Sequence, residues 1–482
     1  MNQIYKKTKT PPSLPRADRS KFGDLLHNIR ESLSGVERDY TKGSLRKAVV
    51  LLSIPMVMEM IMESVFAVAD IFFVSRLGAD AVATVGITES IITIVYALGV
   101  GLSMATTAVV SRRIGEKKRK EASDAAFQAI ITGIAASVLI AIPGVLFPKE
   151  ILMLMGAGDN IVDNLSGYTA IMLGGNITIM LLFIINAVFR SAGDAFLSLK
   201  VMWLANGINI VLDPLLIFGW GPFPELGIEG AAIATNIGRG IAVLYQFRLL
   251  FRGRGKIKLG MNNLVLRRRM IADIIRISAG GIGQNIIATS SWIGMVRIIS
   301  VFGSSVLAGY TIAIRIIIFS LLPSWGISNA SATLVGQNLG AGDPSRAERS
   351  VWLTGKINMV YSVVAGLIFY FFAEPLIRIF IPDPEVIASG AVCLRIISLG
   401  FIAYGLGMVM VQAFNGAGDT RTPTKVFFIC FWLIEIPLAY LLAIVLSLGE
   451  KGVFWSIMFS ESLMAVLAFL LFRRGKWKME QV

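Results

Sequence analysis

Charge is scarce in this sequence. Only 16% of its 482 residues are charged while 55% are hydrophobic, and the mean hydropathy is +0.71. A soluble domain carries roughly 25% charged residues, so the deficit excludes water as the solvent for most of the chain. Histidine is nearly missing: the one copy, His27, lies in a polar N-terminal stretch. Any proton relay at membrane depth must therefore use carboxylates, and a membrane-embedded enzyme would lack the His, Asp or Ser constellation it needs. Two cysteines, Cys393 and Cys430, both fall in apolar runs. No disulfide is expected, and two thiols are too few for a metal cluster. A GxxxxGK[ST] loop is absent too, so ATP is not the energy source within this chain. The Gly-rich segments Gly193-Asp194 and Gly416-Ala417-Gly418-Asp419 lack the strand–turn–helix context of a nucleotide fingerprint.

What remains is a series of long apolar runs, such as residues 91–110, 130–147 and 357–372. They approach the ~20 residues that cross a bilayer, and with no water to satisfy the backbone they must be helices. The formal net charge of +14 is spread over short clusters between these runs, which fits the positive-inside rule better than a nucleic-acid surface. Residues 1–43 form a polar, basic tail with Pro11, Pro12 and Pro15. No short apolar segment with a cleavage site precedes the first span, so a cleaved signal peptide is not expected. Within the tail, residues 22–33 read either as an amphipathic interfacial helix or as disordered chain.

The two halves of the chain match at one offset. Gly78-Ala79-Asp80 meets Gly303-Ser304-Ser305 at an offset of 225, and Ser111-Arg112-Arg113-Ile114-Gly115 meets Gly336-Gln337-Asn338-Leu339-Gly340 at the same 225. Arg190-Ser191-Ala192-Gly193-Asp194 meets Asn415-Gly416-Ala417-Gly418-Asp419, again at 225, and Gly230 later meets Gly452 at 222. Spans are predicted at 48–74, 86–110, 124–147, 162–189, 198–219 and 229–250 in the first half. In the second they fall at 274–299, 306–334, 351–373, 388–413, 424–446 and 452–472. Basic clusters mark one side: the tail, the loop from Arg112 to Lys120, the linker at 253–270, and Arg473 to Lys478. The expected fold is an all-α membrane protein of twelve transmembrane helices. It comprises two six-helix lobes (44–252 and 271–474) related by a pseudo-two-fold axis along the membrane normal, with both tails (1–43 and 475–482) cytoplasmic. Parallel repeats of this kind leave a cleft between them, the geometry of alternating access.

A carboxylate at mid-membrane costs a few kcal/mol on insertion scales, so each one asks for a reason. The first span holds Glu59, Glu63 and Asp70. At about 100° per residue, Glu63 and Asp70 fall about 40° and 20° from Glu59, so all three share one face. They are read as cation-handling groups, with pairing of Glu59 to a basic loop residue and snorkelling of Asp70 as the structural alternatives. In the fifth span Asn209 and Asp213 stack four residues apart, and Pro214 frees a carbonyl nearby. A carboxylate, an amide oxygen and a loosened carbonyl suit a hard monovalent cation. Apolar surroundings disfavour a charged carboxylate, which equally suits a proton carrier. The alternative is a helix-packing pair satisfied by its neighbours. In the second half Glu435 and Glu461 are the main acids, and nothing matches Asp70 or Asp213 at the repeat offset. Arg297 and Arg315 read as interfacial anchors. The 20 methionines and 28 phenylalanines are mostly packing residues, though a subset lining the cleft would suit bulky amphipathic ligands.

From residue 44 to 473 the chain resembles the multidrug and toxic compound extrusion (MATE) family. The resemblance rests on Ala69-Asp70-Ile71-Phe72-Phe73-Val74-Ser75-Arg76-Leu77-Gly78, on Phe189-Arg190-Ser191-Ala192-Gly193-Asp194, on Asn209-Ile210-Val211-Leu212-Asp213-Pro214 and on Gly230-Ala231-Ala232-Ile233-Ala234-Thr235. The repeat Phe414-Asn415-Gly416-Ala417-Gly418-Asp419-Thr420 completes it. It implies antiport, in which an organic cation or amphipathic toxin leaves as Na+ or H+ enters. No cofactor beyond that ion is implied. The family pattern places coupling carboxylates in the N-terminal lobe, matching Asp70 and Asp213, with Asn209 and Thr235 beside them. For Na+ the ligands would be Asp70, Asn209 and Asp213. The other bacterial branch carries acids in the seventh and tenth spans, where this sequence has Gln284 and no acid in the body of either span. That departure favours the DinF-type branch. Glu63 stands where the pattern has a neutral polar residue, which adds a charge to the site, and the N-terminal tail is longer than is usual in the family.

A flippase for a lipid-linked sugar is the nearest rival, but it calls for several mid-span Arg or Lys to hold pyrophosphate. A channel fits the two-lobed repeat less well than a transporter does. The expected protein is thus a monomeric inner-membrane transporter whose partners are a small-molecule substrate and membrane lipid, and no nucleic acid.

Overall fold

The computed structural model describes residues 29–33, 35, 39–253, 256–260 and 263–482. His27 and most of the tail segment 22–33 lie outside the described residues; of that segment, residues 29–32 are helical. Helices occupy all twelve predicted positions. In the first half they are α1 (Leu45–Val74), α2 (Ala79–Gly115), α3 (Arg119–Leu146), α4 (Ser166–Ala192), α5 (Ala195–Ile217) and α6 (Gly227–Arg252). The second half supplies α7 (Arg268–Ile299), α8 (Ser304–Gly340), α9 (Pro344–Phe371), α10 (Pro384–Ser398 with Phe401–Ala417), α11 (Arg421–Val445) and α12 (Glu450–Arg473). Ten are long and apolar enough to cross a membrane as they stand, and α10 is a broken pair bent by 58°. The remaining helix, α6, has the length at 26 residues but carries Glu229, Arg239, Arg248 and Arg252.

Repeat-related corners share one conformation. Gly193 after α4 and Gly418 after α10 both stand at φ +94°, the left-handed turn that ends a helix without Cβ strain. The aspartates that follow cap the next helices alike: Asp194 accepts from the Leu197 amide at 3.1 Å, and Asp419 from the Thr422 amide at 3.1 Å.

The lobes meet through reciprocal contacts, as a two-fold axis requires. A Cβ added at Gly101 on α2 would strike Ile282 and the Ser278 carbonyl on α7, while one at Gly326 on α8 would strike the Met56 and Val57 backbone on α1. Further along, a Cβ at Gly115 would meet the Gln337 carbonyl and one at Gly340 the Arg112 carbonyl. Gly115 pairs with Gly340, and Arg112 with Gln337, in the sequence repeat. The glycines of the motif are therefore where the lobes close on each other.

This closure lies at the end of the bundle that bears the basic loops, and the tails cross it. Arg346 of the second lobe donates to the carbonyls of Tyr40 and Lys42 at 3.2 Å each. After α12 the chain folds Trp477 against Phe472, then reaches back to the first lobe. There Arg112 donates to the Glu480 carbonyl at 2.5 Å and Arg113 to Val482 O at 2.9 Å. The α6–α7 linker lies on α3, where Asp124 pairs with Arg267 at 2.6 Å and Gln128 donates to the Val265 carbonyl at 2.8 Å.

Candidate cation-coupling site

The three acids of α1 share a face, but the structure separates their roles. Glu59, only 3% exposed, accepts from Arg190 at 2.8 Å and from Asn186 at 3.3 Å. Asn186 in turn accepts from Gln246 on α6 at 2.8 Å. This is a buried ion pair between helices, with Arg190 from the repeat motif as its basic partner; both bonds go to Oε1, and Oε2 is left without a hydrogen-bond partner. Glu63 is half-buried and accepts from Asn206 on α5 at 3.3 Å. Asp70, about two turns further along, is half-buried and accepts no hydrogen bond among the described residues.

Asp213 is fully buried and Asn209 nearly so, at 0% and 2% exposed. The Asn209 amide donates both to Asp213 Oδ1 at 3.2 Å and to Thr235 Oγ1 of α6 at 2.9 Å. This arrangement uses the amide's donors and leaves two acceptors, Asn209 Oδ1 and Asp213 Oδ2, buried without a hydrogen-bond partner. Asp70 is close enough for its charge to repel Asp213. Pro214 lies inside α5 and removes the amide that the Ile210 carbonyl would otherwise accept from.

Orphaned buried acceptors are expensive, and a bound cation or proton would satisfy them. No group of three or more His, Cys, Asp and Glu able to hold a metal comes together among the described residues. A cation here would meet at most two carboxylates plus neutral amide, hydroxyl and carbonyl oxygens. That donor set fits a hard monovalent ion better than a divalent one. Of the five residues singled out in the sequence, four (Asp70, Asn209, Asp213 and Thr235) come together, and Glu63 stands at their edge.

Sequence reasoning missed Arg239. It lies one turn beyond Thr235 on α6, is 6% exposed, and donates to the Tyr96 hydroxyl of α2 at 3.2 Å. Its guanidinium carbon sits 5.5 Å from the centre of the Phe66 ring. Its charge acts on Glu63 and Asp70 of α1 and on Glu89 of α2. An arginine midway along a predicted span was itself the signal. Arg315, expected as an interfacial anchor, stands eleven residues into α8, is exposed, and its charge acts on Glu89 of the other lobe.

In the second lobe the repeat counterparts of Glu59 and Arg190 are the neutral Gln284 and Asn415. Gln284 on α7 donates to Asn415 at 3.1 Å and to the Thr420 carbonyl at 3.2 Å. Asn415 donates to Gln412 at 3.2 Å, and Gln412 to Asn329 at 2.8 Å. Glu435, on a π-helical stretch of α11, accepts from Ser291 at 3.1 Å.

Comparison with known proteins agrees with this architecture. The family model described as MatE matches twice, over residues 55–215 and 282–441, once in each repeat. The probable multidrug resistance protein NorM of Thermotoga maritima is 28% identical over 453 residues, covering 91% of this chain and 94% of its own. The FAD transporter of Shewanella oneidensis is 26% identical over 409 residues, covering 85% and 90%. A solved multidrug resistance MATE family transporter of the MOP superfamily, in an outward-facing conformation, superimposes with a TM-score of 0.85 at 24% identity. That superposition covers 92% of this chain and 98% of the solved one.

Proposed function

Since the chain belongs to the MatE family of multi-pass membrane transporters, we propose that it is an antiporter. It exports organic cations or amphipathic toxic compounds in exchange for Na+ or H+, and the exchange ion binds at Asp70, Asn209, Asp213 and Thr235. That it is a secondary transporter of small molecules and not an enzyme follows from the family. The ion, the substrate charge and the site are the proposal. The observation that carries it is the pair of buried, unpartnered acceptors on Asn209 and Asp213, beside a second carboxylate that repels the first.

The residues present would work as follows. An ion entering from the cleft meets Asp70 first, the more accessible of the two carboxylates. It then reaches Asp213 and Asn209, where the deepest acceptors lie. Binding removes the repulsion between Asp70 and Asp213 and lets α1 draw toward α5. The first helix also packs against α8, so its movement can pass to the other lobe. With both tails in the cytoplasm of a bacterial inner membrane, the closed basic end is the inner gate, and the site opens outward. The curated relatives and solved structures do not favour the flippase reading.

Liposomes containing the protein and loaded with ethidium would test this. An imposed Na+ or proton gradient should drive ethidium against its own gradient, and Asp70→Asn should abolish that movement. Equal ethidium flux with and without either gradient would overturn the proposal.

A further inference from the structure

The coupling site carries a cation of its own. Four carboxylates of the first lobe (Glu63, Asp70, Glu89 and Asp213) act on one another or on a single buried guanidinium. That guanidinium is Arg239, placed by α6 one turn from Thr235. Its plane rests over Phe66, and one donor holds Tyr96. It makes no ion pair with any carboxylate among the described residues, although three stand around it. An arginine seated on a ring and a hydroxyl keeps its charge while leaving most of its donors unfixed.

We infer that Arg239 is the resident counter-ion of the coupling site, a positioning residue that offsets the charge of Glu63 and so sets how strongly Asp70 and Asp213 attract the exchange ion. Glu63 faces Arg239 from α1, one turn from Phe66, and Asn206 holds its carboxylate. The two charges are thus held separately, the anion by an amide and the cation by a phenol and a ring. Without Arg239 the charge of Glu63 would go uncompensated and the site would hold its ion more tightly. Without Glu63 the guanidinium would oppose the incoming ion. The inference rests on the antiport reading and names the element that tunes its affinity.

The test uses the same liposomes and reads the concentration of the driving cation that gives half-maximal ethidium efflux. At an effective dielectric near 20, removing a unit charge several ångströms from a bound ion changes its affinity by roughly tenfold or more. Arg239→Gln should lower the half-saturating concentration by about that factor, Glu63→Gln should raise it, and the double variant should return close to wild type. Arg239→Lys, which keeps the charge, should stay near wild type. A merely structural role would weaken both single variants in the same direction. If Arg239→Gln, shown to be folded by its gel-filtration profile, has an unchanged or raised half-saturating concentration, or no efflux, the inference is wrong. Failure of the antiport reading looks different, because wild type itself would then show no cation-driven efflux.

Discussion

Gly193 and Gly418 turn at the same φ, and Asp194 and Asp419 cap the next helix in the same way. Yet the helices around these corners hold different chemistry. In the first lobe they surround Asp213 and Asn209 with unpartnered acceptors beside a second acid. In the second, the repeat partners of Glu59 and Arg190 are Gln284 and Asn415, neutral groups that hydrogen-bond each other and continue to Gln412 and Asn329. One backbone plan thus carries a buried ion pair in one lobe and a neutral hydrogen-bonded pair at the repeat-related positions of the other. Duplication conserves the corners and the lobe interface because both halves need them to close. Charge at membrane depth is expensive in either half.

The comparison can be broken most directly through transport. Asp213→Asn and Asp70→Asn should each reduce gradient-driven efflux to the leak rate while the protein still inserts and folds. Gln284→Ala in the other lobe should leave coupling intact. Efflux assays on the three variants, with expression and gel filtration as controls, decide the matter.

Glu59 sharpens the contrast within α1. Removing one member of a buried ion pair costs about 3–5 kcal/mol, so Glu59→Ala should lower thermal stability markedly by strand-free unfolding probes such as circular dichroism. Glu63→Gln, whose partner is an amide, should not.

The symmetry of the closure is open to the same treatment. Gly115→Ala and Gly340→Ala should each force the lobes apart at the basic end, at about 1–3 kcal/mol for overpacking. Spin-label distances across that end should lengthen to a similar extent in both. A shift in only one variant would break the reciprocal-contact account.

A smaller effect is expected from Gln284→Ala on stability, about 1–3 kcal/mol for the partners it leaves unsatisfied. The smallest belongs to Asp39, outside the membrane. Burial pushes its carboxyl up, but hydrogen bonds from Lys117 and Thr41 outweigh this and hold it down at about 2. Its folded value lies below its unfolded one, so its contribution is present above about pH 4 and fades as pH falls toward 2. For a largely exposed pair it should not exceed about 1 kcal/mol. Melting curves of Asp39→Ala and wild type between pH 6 and pH 2.5 should therefore converge.

Much of this was legible from the sequence because lipid simplifies the reading. Each long apolar run had to be a helix, and the offset of 225 related Gly115 to Gly340 before any contact between them was seen. The site was legible where residues four apart stack on one helix, as Asn209 and Asp213 do. The grouping that crosses helices was not. Glu59, Glu63 and Asp70 look equivalent on a helical wheel, and only the neighbours (Arg190 beside the first, Asn206 beside the second) distinguish them. Thr235 came through the family resemblance, and Arg239 escaped notice in a span that also carries Glu229 and Arg248. The distance of Arg315 along α8 likewise says nothing about Glu89, the acid of the other lobe on which its charge acts.

The central claim is that the exchange ion is held by the first lobe alone. Titration of Na+ and of protons into the purified protein, followed by intrinsic tryptophan fluorescence, tests it most directly in wild type, Asp213→Asn and Glu435→Gln. The account predicts a saturable response in wild type and in Glu435→Gln that disappears in Asp213→Asn. A response that survives in Asp213→Asn and is lost in Glu435→Gln would contradict it and move the ion to the second lobe.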